Sequence, residues 1–193
     1  MTCHLYAKQT ERIDVFDDVL DTSGLPASSL RFSSEHDRAW HVLDGVTGSM
    51  AGGDILCVPD LETLGDSSSD ISARMEAIMA KRCGIVIASI PATYEFGLDL
   101  LLNKAVASAI IQGLQSGEAG ARPFVRQAGP GRPRLVFPDG WDELYARWEA
   151  GEIGSKEFLT ASGLKKATFY NKLADYKALR AFNTRYLIDH GIA

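Results

Sequence analysis

Residues 54–90, DILCVPDLETLGDSSSDISARMEAIMAKRCGIVIASI, decide the fold. The runs Asp54-Ile55-Leu56-Cys57-Val58 and Gly84-Ile85-Val86-Ile87-Ala88-Ser89-Ile90 are short, apolar and rich in β-branched residues. Gly, Asp or Pro bounds each, so both read as buried strands. Between them Ile71, Met75, Ile78 and Met79 fall at i, i+4, i+7 and i+8, one apolar stripe on a helix from about Ser69 to Arg82. Ser68 or Ser69 is placed to cap its start, and Asp70 suits the positive end of its dipole. Lys81, Arg82 and Gly84 mark its end. Parallel strands need a crossover of this kind, so strand–helix–strand predicts an α/β fold with a parallel sheet under packed helices.

Upstream of this unit, Leu5-Tyr6-Ala7 reads as a short first strand and Ile13 to Leu20 as helical. Ser23 to Ser34 contains Ser and Pro and reads as a loop, Ala39 to Val46 carries a weak helix signal, and Gly48 to Gly53 reads as a turn. Downstream, Phe96 to Leu114 is apolar around most of its circumference, through Leu98, Leu100, Leu101, Leu102, Ala105, Val106, Ala109, Ile110, Ile111 and Leu114. Such a helix needs more than one burial partner: the sheet on one side and a second subunit on the other, or a central place in one core. Residues 115–133 hold Gly129-Pro130-Gly131-Arg132-Pro133 and read as a linker. The expected organisation is an α/β domain over 1–115, a linker over 116–134 and an all-α domain over 135–193.

The chain has 193 residues, 46% apolar and 23% charged, which excludes disordered and fibrous classes and suits one domain with an appendage. No apolar run reaches the roughly 18 residues of a membrane span. The opening Met1-Thr2-Cys3-His4-Leu5-Tyr6 carries no signal-peptide pattern, and Cys3, Cys57 and Cys83 are too few and scattered for a disulfide framework. These features point to the cytoplasm, with no membrane partner. The net charge of −5 is uneven. Residues 1–128 hold 10 Lys and Arg against 17 Asp and Glu, and residues 129–193 hold 10 against 8, so an acidic body carries a mildly basic end.

That basic end reads as a helix-turn-helix. Trp141, Leu144, Tyr145 and Trp148 form a supporting helix stopped by Gly151, and Ser155 is placed to cap a second helix, Lys156 to Ala161. Ser162-Gly163-Leu164 makes the tight turn, and a third helix runs from Lys166 to about Leu179 with Phe169, Leu173 and Tyr176 inward. Its outward residues are Lys165, Lys166, Thr168, Asn171 and Lys172, with Tyr170 at the rim. These types read base edges or bind phosphate when a helix enters the major groove of double-stranded DNA. The segment up to Arg134 is narrow and cationic, so Arg132 and Arg134 suit the adjacent minor groove. A three-helix packing module with a solvated charged face, binding a protein instead of DNA, is the competing reading of the same residues.

Gly53-Asp54-Ile55-Leu56-Cys57-Val58-Pro59-Asp60-Leu61-Glu62-Thr63-Leu64-Gly65 resembles the serine recombinase (resolvase/invertase) segment Gly-Asp-x-Leu-x-Val-x-x-Leu-Asp-Arg-Leu-Gly-Arg. Tyr6-Ala7-Lys8-Gln9-Thr10 resembles that family's opening Tyr-x-Arg-x-Ser. The following helix, strand, long apolar helix, Gly-Arg-Pro linker and terminal helix-turn-helix come in the family's order. The resemblance implies a resolvase-like catalytic domain with a parallel-rich sheet, a homodimer or higher oligomer formed through helix 96–114, and DNA cleavage and rejoining. It places Thr10 at the nucleophile and Lys8 at a catalytic arginine. It also places Glu62-Thr63 at the Asp-Arg pair and Asp66 at the second arginine. Charge stabilisation dominates phosphoryl transfer, and each lost donor costs roughly 10²–10³ in rate. Lys lacks the bidentate fork of Arg, and Asp66 repels the phosphate, so cleavage is expected to be impaired.

No cofactor is implied: there is no Gly-x-Gly-x-x-Gly, and His4, His36, His41 and His190 lack metal-ligand spacing. Ser67-Ser68-Ser69 reads as the loop that starts a helix. The expected function is a nucleoid-associated DNA-binding protein of this family type, acting in recombination or transcription regulation. The alternatives are an active recombinase using Thr10 and a protein-interaction module that does not bind DNA.

Overall fold

A computed structural model describes residues 1–36, 39–95, 97–116 and 136–192. The fold is mixed α/β. Four strands, β1 (Cys3–Lys8), β2 (Leu30–Glu35), β3 (Ile55–Val58) and β4 (Gly84–Ile87), form one parallel sheet in the order β2-β1-β3-β4. Cys3 pairs with Leu30 on one side and Ile55 on the other, and Ile55 pairs in turn with Gly84. Among the described residues there are seven α-helices, and none is long and apolar enough to cross a membrane.

The pleat divides the core. Tyr6, Leu56, Val58, Ile85 and Ile87 face a layer made by α2 (His41–Ser49), α3 (Ser68–Ala80) and α4 (Leu100–Gln115). Leu5, Ala7, Ile55, Cys57 and Val86 face the other way, toward the 3-10 turn Ile13–Phe16 and α1 (Asp17–Ser23). Both faces are covered, which is why β3 and β4 run continuously apolar instead of alternating.

The crossover over 54–90 is present, with its helix one residue earlier at the start and two shorter at the end than the sequence suggested. Ser67 is the cap of α3: its hydroxyl accepts from the Asp70 amide at 3.1 Å and donates to the Asp70 carboxylate at 2.6 Å, so neither Ser68 nor Ser69 fills that role. β4 stops at Ile87 because Pro91 opens a new 3-10 turn, Pro91–Thr93. The predicted loop over 23–34 is overturned at its end, where Leu30–Glu35 is a full strand. It is an edge strand, so polar Ser33 and Ser34 are tolerated there. The α2 helix runs through Gly48 to Ser49, into the predicted turn. The α4 helix starts at Leu100, not at residue 96, because the Asp99 carboxylate caps the Leu101 and Leu102 amides at 2.8 and 2.9 Å. Phe96 lies outside the described residues.

The other edge strand, β4, is closed by side chains. Asn103 of α4 is buried and accepts from the Ile85 amide at 2.8 Å. Its amide group donates to the carbonyls of Ile85 at 2.6 Å and Thr93 at 3.0 Å. The Thr93 hydroxyl accepts from the Ile87 amide at 3.0 Å. An edge whose backbone groups are already paired does not template another strand.

The C-terminal helices α5 (Trp141–Glu149), α6 (Ser155–Ala161) and α7 (Lys166–Asp189) enclose an aromatic core of Trp141, Tyr145, Phe158, Phe169 and Tyr176. Trp141 and Phe158 lie 4.7 Å apart, and Phe158 meets Phe169 edge-on at 5.0 Å. Gly163 takes φ +65° in the turn between α6 and α7, a conformation that side chains resist. Ser155 is the first residue of α6 instead of its cap. The start is closed by the Gly154 amide donating to Glu157 at 2.8 Å.

The α7 helix does not end near Leu179. The stripe Phe169, Leu173, Tyr176, Leu179 continues at helical spacing through Asn183 to Tyr186, and the helix follows it. Beyond Leu179 that stripe leaves the aromatic core and enters the sheet's second face, where Tyr186 and Ile192 are buried with Ile13, Phe16 and Val19. Two cores therefore share one helix, and residues 183–192, assigned by sequence to the terminal domain, complete the α/β core.

Candidate functional site

Open parallel sheets bind ligands beyond the carboxyl ends of their strands, where neighbouring connections diverge. Here that point lies between β1 and β3, at the turn carrying Thr10. Lys8 closes β1 and the Glu11 amide donates back to its carbonyl at 3.0 Å, leaving half-buried Thr10 at the tip.

The cation expected beside it is committed elsewhere. Lys8 is buried, its ammonium 2.6 Å from the Ala39 carbonyl and 3.8 Å from the centre of the Trp40 ring. Beneath it lies a buried carboxylate that sequence reasoning missed. Glu35 accepts from the Tyr6 hydroxyl and from the Val42 and Leu43 amides at 2.9 and 3.2 Å. Burial opposes its charge, but the Tyr6 hydroxyl, the two amides and Lys8 outweigh that and hold its carboxyl below the usual range. Burial and the hydrogen bond to Glu35 push the Tyr6 phenol well above its ordinary value. Val42 and Leu43 open α2, so Glu35 fills the first-turn position that favours negative charge.

The positions matched to catalytic arginines are acidic or neutral in their surroundings. Thr63 is buried, its hydroxyl 3.0 Å from Asp60 and 3.4 Å from Glu11. Glu62 and Asp66 point to solvent. Arg12 pairs with Asp14 at 2.6 Å and stacks 3.9 Å from the Phe182 ring centre. Arg74 donates to the Leu64 carbonyl at 2.7 Å and lies 4.4 Å from the Trp40 ring centre. Arg31 holds the Ser28 and Leu30 carbonyls at 3.0 and 2.7 Å. These guanidinium groups all have partners, and the Glu11 carboxylate, next to Thr10 in the chain, accepts from the Lys8 amide at 2.8 Å.

The second group of candidates lies on the helix-turn-helix. Lys165, Lys166, Thr168, Tyr170 and Asn171 are all exposed at the start of α7. No side chain caps that start, so its first amides remain available beside two lysines. Ala167 and Ala174 flank Asn171 on the outward side, leaving room for close approach. Tyr170 is steadied edge-on against Phe169 at 5.2 Å. Lys172 is half-buried, with its ammonium 5.5 Å from the Phe137 ring centre, so it lies along the flank of the module instead of facing outward. Arg132 and Arg134 lie outside the described residues.

Among the contacts that join these regions are two that the sequence does not announce. The imidazole of His36, just past β2, is 3.1 Å from the buried carboxylate of Asp142 in the first turn of α5. Asn183 of α7 holds the backbone on either side of Arg12, donating to the Glu11 carbonyl at 2.8 Å and accepting from the Ile13 amide at 3.3 Å. The continued 3–4 spacing through Asn183 and Tyr186 is the sequence signal that marks the second contact.

No protein-family model matches the chain, and no curated protein matches it.

Proposed function

We propose that this chain is a double-stranded DNA-binding protein related to the site-specific serine recombinases, in which the cleavage chemistry has been lost. The observation that carries the reading is the exposed, uncapped start of α7, where Lys165, Lys166, Thr168, Tyr170 and Asn171 project together after the Gly163 turn. Helix N-termini flanked by lysines favour phosphate, and Asn presents the paired donor and acceptor that suits adenine. The four-stranded parallel sheet with the crossover over 54–90 is the kind of body this relationship requires.

Loss of cleavage follows from the carboxyl edge. Phosphoryl transfer needs cations aimed at the developing charge. Lys8 is buried against backbone carbonyls and Trp40, and Thr63 sits between Asp60 and Glu11. The protein then acts in recombination or transcription regulation by occupying sites, not by cutting them.

Pairing of two copies would use α4. Its inward residues Asn103, Ala107, Ile110 and Ile111 are buried, while Leu101 is 81% exposed and Leu102, Ala105 and Ala109 are open beside it. A two-fold pair would present two recognition helices to two half-sites.

The test is a gel-shift titration against a duplex selected from a random pool, at fixed salt. Replacing Lys166 and Asn171 together by Ala is expected to weaken binding at least tenfold, since a good base-edge pair contributes about 1–3 kcal/mol. Unchanged affinity in the double variant overturns the recognition-helix assignment. A suicide substrate that yields a covalent adduct dependent on Thr10 overturns the loss of cleavage.

A further inference from the structure

We propose that the end of α7 is a releasable strap that fixes the helix-turn-helix to the carboxyl edge of the sheet and, in the same contact, restrains the turn carrying Thr10. The helix is unbroken over 24 residues, so what its last turns grip sets the orientation of its first. Between the two cores, Arg180, Ala181 and Phe182 of α7 are exposed.

The grip is specific. Asn183 uses both ends of its amide on the backbone around Arg12, at Glu11 and Ile13. The Arg12 guanidinium lies over Phe182, and the Tyr186 hydroxyl donates to Asp17. Ile192 fills the space beside Tyr186. A second anchor, His36 with Asp142, ties the start of α5 to the strand next to β1. The two anchors therefore lie past adjacent strands, one on each end of the module.

The grip is also local. It is confined to the last turns of α7, where Tyr186 and Ile192 are buried against Ile13, Phe16 and Val19, while Phe182 and Ile188 remain 37% and 69% exposed beside it. Chain-terminal turns held by few residues open below the cost of global unfolding. Closed, the strap holds the recognition face at one angle to the sheet. Open, the recognition face is no longer held through the end of α7. The use of the device rests on the DNA-binding reading: a closed pair of copies presents its two recognition helices at one separation, and an open pair tolerates several.

Hydrogen exchange on the full chain tests the strap without DNA. In Asn183→Ala and, separately, Tyr186→Phe, amides of residues 13–20 are expected to exchange about fivefold faster or more, the effect of one lost hydrogen bond. Amides of β3 and β4 are expected to keep their protection. Unchanged exchange at 13–20 overturns the strap. A loss spread evenly over the sheet overturns it too, because the helix end is then inseparable from the core. Asp17→Asn serves as a second variant that leaves the aromatic and aliphatic packing intact. In the DNA arm, the preference for one half-site spacing over a spacing shifted by half a helical turn is expected to fall at least fivefold in the released variants. Retained spacing preference with released exchange overturns the strap's role in site selection. Absence of any DNA binding by the unaltered chain overturns the DNA reading alone, and the exchange result still decides the strap.

Discussion

Replacing Asn103 by Leu removes one side chain and strands three backbone groups. Asn103 is 5% exposed, and its amide satisfies the Ile85 amide and carbonyl and the Thr93 carbonyl. Ile85 itself is fully buried, so water does not take the place of the lost partner. An orphaned buried amide or carbonyl costs about 1–3 kcal/mol, carbonyls at the lower end, which gives roughly 3–5 kcal/mol for the three. For a chain of this size each kcal/mol lowers Tm by about 2–4 °C, so a fall on the order of 10 °C is expected. Asn103→Asp separates the contributions: it still accepts from Ile85 but donates to neither carbonyl, and at neutral pH it brings an unpaired charge into the core. It should be at least as damaging as Leu. The assay is urea and thermal unfolding of all three proteins, with light scattering to detect strand-edge association. A loss below about 1 kcal/mol for Asn103→Leu would show that the β4 edge does not depend on this residue.

Three further outcomes follow from particular residues. Glu35 is held below the usual carboxylate range when folded, so its contribution to stability is present above the unfolded value of about 4.3 and fades as pH falls through the lower folded value. Glu35→Gln should remove that part of the acid slope in a pH series of unfolding midpoints, and an unaltered slope would contradict the network around Tyr6. Gly163→Ala meets no atom within 4 Å, so its cost is backbone strain alone, about 1–2 kcal/mol at φ +65°. Gly163→Asn should cost less, and equal costs measured by thermal unfolding would refute the strain argument. Leu101→Glu, on an exposed position, should leave Tm within a few degrees but abolish dimer in sedimentation if α4 pairs the copies. A dimer that survives it places the interface elsewhere.

The crossover over 54–90 was legible because its strands are buried on both faces and its helix carries one clear stripe. β2 was not, because an edge strand with Ser33, Ser34 and an inward Glu35 has neither alternation nor an apolar run. Its inward acid is intelligible only beside Tyr6 and the opening amides of α2, partners 29, 7 and 8 residues distant in sequence. The outward residues at the start of α7 were legible from the turn glycine and the core spacing, apart from Lys172, which an aromatic neighbour at Phe137 draws aside. The role of Lys8 was hidden because charge type says nothing about direction. Its ammonium is taken up by the Ala39 carbonyl and the Trp40 ring, groups no motif connects to it. The docking of α7 left one trace, the 3–4 spacing that runs on to Tyr186, but nothing in the sequence tells that polar Asn183 within it grips the neighbouring backbone.

The central claim is that a body unsuited to cutting DNA still holds it through the start of α7. The most direct measurement is the affinity of the full chain for a duplex at a series of salt concentrations. Binding should weaken linearly on a double-logarithmic plot, and replacing Lys165 and Lys166 by Ala should flatten the slope by about one to two phosphate contacts. Binding without salt dependence, or a slope that ignores both lysines, would contradict the account.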